Sequence, residues 1–255
     1  MRRLLSRLTY ALEKRRRRRA IARQRARHDG RTIVHVLHIG KTGGTAIRHA
    51  FAHHDEPVCT DRVALFFHNH TTTLADVPTG EGVALVVRHP VDRFVSGFRS
   101  RQRQGRPRAV IPWTAGERRA FQRFEDPNHL AEALADGEAA AEDAMRSINH
   151  VRHPLGHWLG TPELIRQRRE DLFFVGRQPN LNQDMRTLLD RMGVIEDVQL
   201  PDDDAHSHRN PTAHRESLSD RGRRAIEAWY ARDLDLLDAL VDVGALPALP
   251  ASTLA

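Results

Sequence analysis

With 255 residues, 40% of them hydrophobic, the chain can bury one sizeable core and at most a small appendage. No run of 18 apolar residues offers a membrane span, no apolar h-region marks a secretory leader, and the single cysteine, Cys59, excludes an internal disulfide framework, so a reducing cytoplasm is the expected setting. The net charge of +7 is unevenly spread, +10 over residues 1–30 and −3 over the remainder, which argues against a folded body built to bind nucleic acid.

Residues 1–30 read as an arm, distinct from a domain over residues 31–250. Leu4, Leu5, Leu8, Ala11 and Leu12 form one helical stripe framed by Arg2, Arg3, Arg7 and the basic run 14–19. Such a pattern suits either a solvated arm or a helix lying on an anionic membrane surface. Residues 32–39 are a β-branched strand, 40–45 a glycine-rich loop and 46–54 a helix. A second buried strand spans 82–88; His89-Pro90 ends it, and 91–104 carry a helical pattern. Residues 128–150 hold two helices split near Gly137. A third strand, 171–176, precedes a helix over 181–192 closed by Gly193. A polar loop, 201–216, leads to one long helix over 217–243. Continuous apolar strands alternating with helices predict an α/β fold, a three-layer sandwich around a central parallel sheet.

The chemistry concentrates in "HIGKTGGTAI", residues 38–47. The chain has two lysines, Lys14 and Lys41, against 38 arginines, and one of them stands in this loop. A strand, a glycine-rich turn and a helix make an anion site, because backbone N–H groups converge there and glycines allow close approach. A lysine adds a mobile point charge. A nucleoside-triphosphate P-loop would need a glycine at position 35, where the chain has His35, and its helix would begin where Gly43 and Gly44 continue the turn. The segment instead resembles the 5′-phosphosulfate loop of sulfotransferases that use 3′-phosphoadenosine 5′-phosphosulfate (PAPS), with Gly40 where proline is common.

A second segment, "VVRHPVDRFVSGF" at 86–98, is similar to the 3′-phosphate element of the same family: Arg88, Pro90, Arg93 and Ser96 fall in place, while His89 replaces the commoner Asp or Asn. Residues 172–194 are similar to a later strand–helix of the carbohydrate-type branch, close to heparan sulfate 2-O-sulfotransferase and sulfotransferase family 2 proteins. The resemblance implies a P-loop-NTPase-like sulfotransferase fold and PAPS as donor, with no metal required. It assigns Lys41 to the leaving phosphate, Thr42, Gly43, Gly44 and Thr45 to the 5′-phosphosulfate, and Arg88 and Ser96 to the 3′-phosphate. Arg209, in a late polar loop, would cover the nucleotide.

Between the two motifs lies "FFHNHTTTL", 66–74, which resembles the His-x-His of uronyl 2-O-sulfotransferases. Carried over, His70 is the base and His68 a neighbour that orients substrate or stabilises charge. Five arginines at 99, 101, 103, 106 and 108 follow the second motif and could grip an anionic acceptor or end a solvated helix. His53-His54, His68-x-His70 and His206-x-His208 lack zinc-protease spacing and give no metal site.

The expected function is transfer of a sulfuryl group from PAPS to a hydroxyl on a carbohydrate or other acceptor. The expected location is cytoplasmic, with membrane-peripheral contact through residues 1–30. Two rivals stand: a P-loop kinase or NTPase-like phosphotransferase, and a non-catalytic protein that binds membrane or nucleic acid through its basic arm.

Overall fold

The computed structural model describes residues 19, 22, 28, 30–52, 55, 57–107, 110–194 and 218–247. Most of the basic arm, His53-His54, Arg108 and the polar loop with His206, His208 and Arg209 lie outside them.

Five strands form one sheet in the order β2-β3-β1-β4-β5. They are β1 (Thr32–Val36), β2 (Val58–Cys59), β3 (Val63–Phe67), β4 (Gly82–Val87) and β5 (Leu172–Arg177). The sequence runs TIVHV, VALFF and GVALVV are nearly continuous in apolar residues. That is the signature of central strands buried on both faces. Strands β1, β3, β4 and β5 run parallel, with Val36 level with Phe67 on one side and Ala84 on the other. The expected all-parallel sheet needs one correction: β2 pairs antiparallel to β3 at the edge. Two residues suffice there, because they only return the chain to β3.

Helices pack against both faces. On one, α1 (Gly44–Ala50) and α8 (Leu181–Met192) place Ile47, Phe51, Met185 and Leu188 over Val34, Val36, Leu65 and Val86. On the other, α6 (Gly156–Leu159), α7 (Pro162–Gln167) and α10 (Ala231–Asp242) cover Leu37, Ile39, Leu85 and Val87. A third cluster is wholly helical. It joins α2 (Pro90–Gln102), α3 (Ala115–Arg123), α4 (Pro127–Ala135), α5 (Ala139–Ser147) and α9 (Asp220–Trp229) around Phe94, Phe98, Phe124, Leu130 and Ile226.

The single long helix expected over 217–243 is two helices, α9 and α10, that break at Tyr230. The physical cause is long-range bonding. Tyr230 donates its hydroxyl to the Val151 carbonyl at 2.6 Å, and buried Asp233 accepts the Leu155 N–H on both oxygens at 2.8 Å. Both groups, three residues apart on one side of the junction, tie it to residues 151–155. The split near Gly137 is present, with Gly137 in left-handed backbone at φ 72°.

Candidate active site

The loop 40–45 leaves the C-terminal end of β1 and enters α1. It turns tightly because Lys41 (φ 69°) and Gly43 (φ 97°) adopt left-handed backbone on either side of Thr42, an alternation that aims successive N–H groups into one concavity. A Cβ at Gly43 would stand 2.8 Å from Leu181 Cδ2, and one at Gly44 2.8 Å from His38 Cδ2, so neighbours require glycine at both positions. Thr42 is buried and donates its hydroxyl to the Ile39 carbonyl at 3.1 Å, pinning the turn from within. Thr45 Oγ1 lies 3.4 Å from His38 Nε2.

Arg88 follows β4 directly, at the neighbouring strand tip. Its Nη1 donates to the Lys41 carbonyl at 3.5 Å, while its buried Nε has no hydrogen-bond partner among the described residues. Burial first, then the charges of Arg88 and Arg103, push the Lys41 ammonium down to about 8. Arg88 is itself lowered by burial, with Asp92 opposing and Arg93 adding to the shift. The two sequence motifs therefore meet, and Arg103 at the end of α2 joins them. Desolvated like charges held this close are costly without a counter-ion, which makes the junction of the two motifs a candidate anion site.

His70 reaches the same cleft from the segment after β3. Its Nδ1 lies 2.9 Å from the His38 carbonyl, which can only accept, so Nδ1 carries the proton and Nε2 the lone pair. Its ring stacks on His38 at 3.9 Å between centroids, and its own carbonyl accepts the Trp158 Nε1–H at 2.9 Å. Burial and the Lys41 charge lower its pKa against a raising contribution from the His38 hydrogen bond. A neutral imidazole with a defined lone pair is the form a general base needs.

His68 requires a correction. It is buried, and both ring nitrogens are engaged inside the protein: Nε2 with His35 Nδ1 at 2.9 Å and Nδ1 with Thr72 Oγ1 at 3.2 Å. His35 Nε2 in turn meets Glu81 Oε2 at 2.6 Å. His68 thus has no ring nitrogen to offer a substrate. Residues two apart share a face only while the chain is a strand; β3 ends at Phe67 and the chain turns at His70, so the two rings diverge.

The arginines after the second motif divide in the same way. Arg101 is buried in a two-pronged pair with Glu117, at 2.6 and 3.0 Å, and is structural. Arg103 lies beside Lys41, and Arg106 is exposed. Arg93 is also buried; it donates to the carbonyls of His150 and His153 and lies over Trp158 at 5.7 Å. Ser96 sits half-buried on α2, one turn from Arg99. Arg209 falls outside the described residues. Among those residues, no three His, Cys, Asp or Glu side chains converge on one metal position.

Three residues of this site carried no motif. His38 stands at the head of the quoted loop, but a single histidine there has no distinguishing pattern. Trp158 and His150 come from "INHVRHPLGHWLG", 148–160, whose one signal is a run of His, Gly and Pro without helical period.

The sulfotransferase family model matches residues 29–238 of this chain. No curated protein and no solved structure matches it.

Proposed function

From its membership of the sulfotransferase family, which makes it a sulfuryl transferase, we propose that this chain takes the sulfuryl group from PAPS and passes it to a hydroxyl on a carbohydrate. The observation that carries the donor assignment is the meeting of two cation-bearing strand tips. Arg88 Nη1 donates to the Lys41 carbonyl, and Arg88 Nε is buried beside it without a partner among the described residues. A nucleotide with phosphates at both ends supplies an anion to each.

Lys41 and the amides of Thr42, Gly43, Gly44 and Thr45 hold the 5′-phosphosulfate, and Arg88 with Ser96 holds the 3′-phosphate. His70 Nε2 takes the acceptor proton. The acceptor oxygen bonds to sulfur as the bond from sulfur to the 5′-phosphate oxygen breaks, and Lys41 stabilises the electron pair left on that oxygen. Positioning and charge neutralisation carry such a transfer. The sheet order, with β1 flanked by β3 and β4, supports this reading, because open α/β sheets bind ligands at the carboxyl ends of strands beside a change of winding direction. That supports a P-loop-like arrangement in three layers.

Calorimetric titration without metal tests the donor. Adenosine 3′,5′-bisphosphate is expected to bind at least about tenfold tighter than ADP, the effect of one additional charge-assisted contact. Equal affinities would remove the 3′-phosphate site and favour a phosphotransferase.

A further inference from the structure

Residues 148–155 form neither helix nor strand, yet four buried side chains hold their backbone. Glu117 Oε1 accepts the Asn149 N–H at 3.1 Å, Arg93 donates to the carbonyls of His150 and His153, Tyr230 donates to that of Val151, and Asp233 accepts from Leu155. Each anchor comes from a different helix or from the break between two. At the centre of the segment stands His150, with left-handed backbone at φ 59°. That conformation is uncommon for any residue but glycine, though histidine enters it more readily than most, and the anchors around it hold it there. Gly97 of α2 lets the segment in, since a Cβ there would lie 3.3 Å from three atoms of His150.

The His150 ring lies close enough to Lys41 and His70 to feel both. Burial, Lys41, Arg101 and His70 together push its pKa down to about 3, with Glu117 opposing. The ring is therefore neutral across the working range, with one N–H and one lone pair. Its Nδ1 is buried without a partner among the described residues. A buried polar atom left unmatched is rare and calls for a ligand. The contrast with His70 is informative: His70 Nδ1 is fixed by a carbonyl, which defines the lone pair on Nε2, whereas no partner among the described residues fixes His150 Nδ1. A base needs such an orienting partner; a hydrogen-bonding group does not.

We propose that His150 is a second imidazole of the catalytic centre, which hydrogen-bonds the transferring sulfuryl group beside Lys41 while His70 takes the acceptor proton. A neutral donor adds a bond to the sulfuryl oxygens without a further charge to retain them. This assignment rests on the donor reading above.

The test needs no acceptor. PAPS and adenosine 3′,5′-bisphosphate differ by the sulfuryl group alone, so the ratio of their dissociation constants reports contacts to that group. His150→Gly removes the ring and tolerates the backbone conformation; His150→Asn tolerates it too and keeps a neutral donor and acceptor. His150→Gly is expected to weaken PAPS about tenfold, one hydrogen bond's worth, and to leave the bisphosphate within about twofold. His150→Asn is expected to recover part of the loss. A merely structural histidine would weaken both ligands together. Wild-type discrimination retained in His150→Gly, or a parallel loss for both ligands, overturns the assignment and leaves the donor reading intact. A wild-type protein that binds neither nucleotide overturns both.

Discussion

Lys41 and His70 are poised in opposite protonation states by the same neighbourhood. Burial lowers both, so His70 is neutral below its ordinary 6.5, and Lys41 gives up its proton at about 8. A neutral base and a charged lysine coexist only between those limits. The pH profile of kcat/KM, which reports the free enzyme, is therefore expected to be bell-shaped. Its acid limb should fall below 6.5 and its alkaline limb near 8. His70→Ala should remove the acid limb and lower kcat by about 10²–10⁴, and an acid limb that survives in this variant would exclude His70 as the base. Lys41→Met should lower kcat by about 10²–10³. It should also stabilise the unliganded protein at neutral pH. In the folded protein Lys41 binds its proton more weakly than the 10.5 of an unfolded lysine, so the unfolded chain holds more protons between about 8 and 10.5. Stability then rises with pH across that window, and removing the charge removes the penalty below it. Thermal unfolding at pH 7 and pH 10 checks the sign.

At the level of the element, the Arg101–Glu117 pair links α2 to α3 and to the segment 148–155. Burial raises the Glu117 carboxyl, but hydrogen bonds from Arg101, Thr114 and Asn149 outweigh it and hold the group at about 2. Its contribution is present above the ordinary 4.5 and is lost as pH falls through about 2. Glu117→Ala leaves Arg101 buried and unpaired, at a cost of about 3–5 kcal/mol by denaturant unfolding. The double variant Arg101→Met, Glu117→Leu should recover most of that stability but not the activity, because the Asn149 N–H stays unanchored. Recovery of both would show that the anchor is irrelevant to function.

Periodicity in the sequence revealed β1, β4, β5, α2, α4, α5 and α8 because each buries a continuous run or one helical stripe. It revealed neither β3, though VALFF is apolar throughout, nor the Tyr230 break, which no Gly or Pro marks in the sequence. The loop glycines, Lys41, Arg88 and His70 could be singled out as candidates because their spacing is local. His150 was not, because what distinguishes it is a φ angle and four anchors from distant helices. His68 was misread for the converse reason: its spacing is local, but its partners His35 and Glu81 are not.

Across the molecule, basic charge and catalytic machinery are segregated. The first 30 residues carry +10, while the family match begins at residue 29. Removing residues 1–27 is expected to leave bisphosphate affinity within about twofold and to abolish any salt-sensitive binding to anionic vesicles, which liposome sedimentation would measure. Loss of nucleotide affinity on truncation would instead make the arm part of the donor site. None of the described helices is long and apolar enough to cross a membrane.

The buried row Glu81–His35–His68–Thr72 has a polarity of its own. A contact between two imidazole nitrogens holds a single hydrogen. With His35 neutral and giving Nε2–H to the carboxylate, His68 must donate to His35, and Thr72 must donate to His68. With one more proton on either ring, His68 carries Nδ1–H and Thr72 becomes the acceptor, while the contact between the rings reverses only if His35 is the one that takes it. Thr72 lies two residues beyond His70, so a row that starts at the buried carboxylate before β4 ends on the same short segment as that ring.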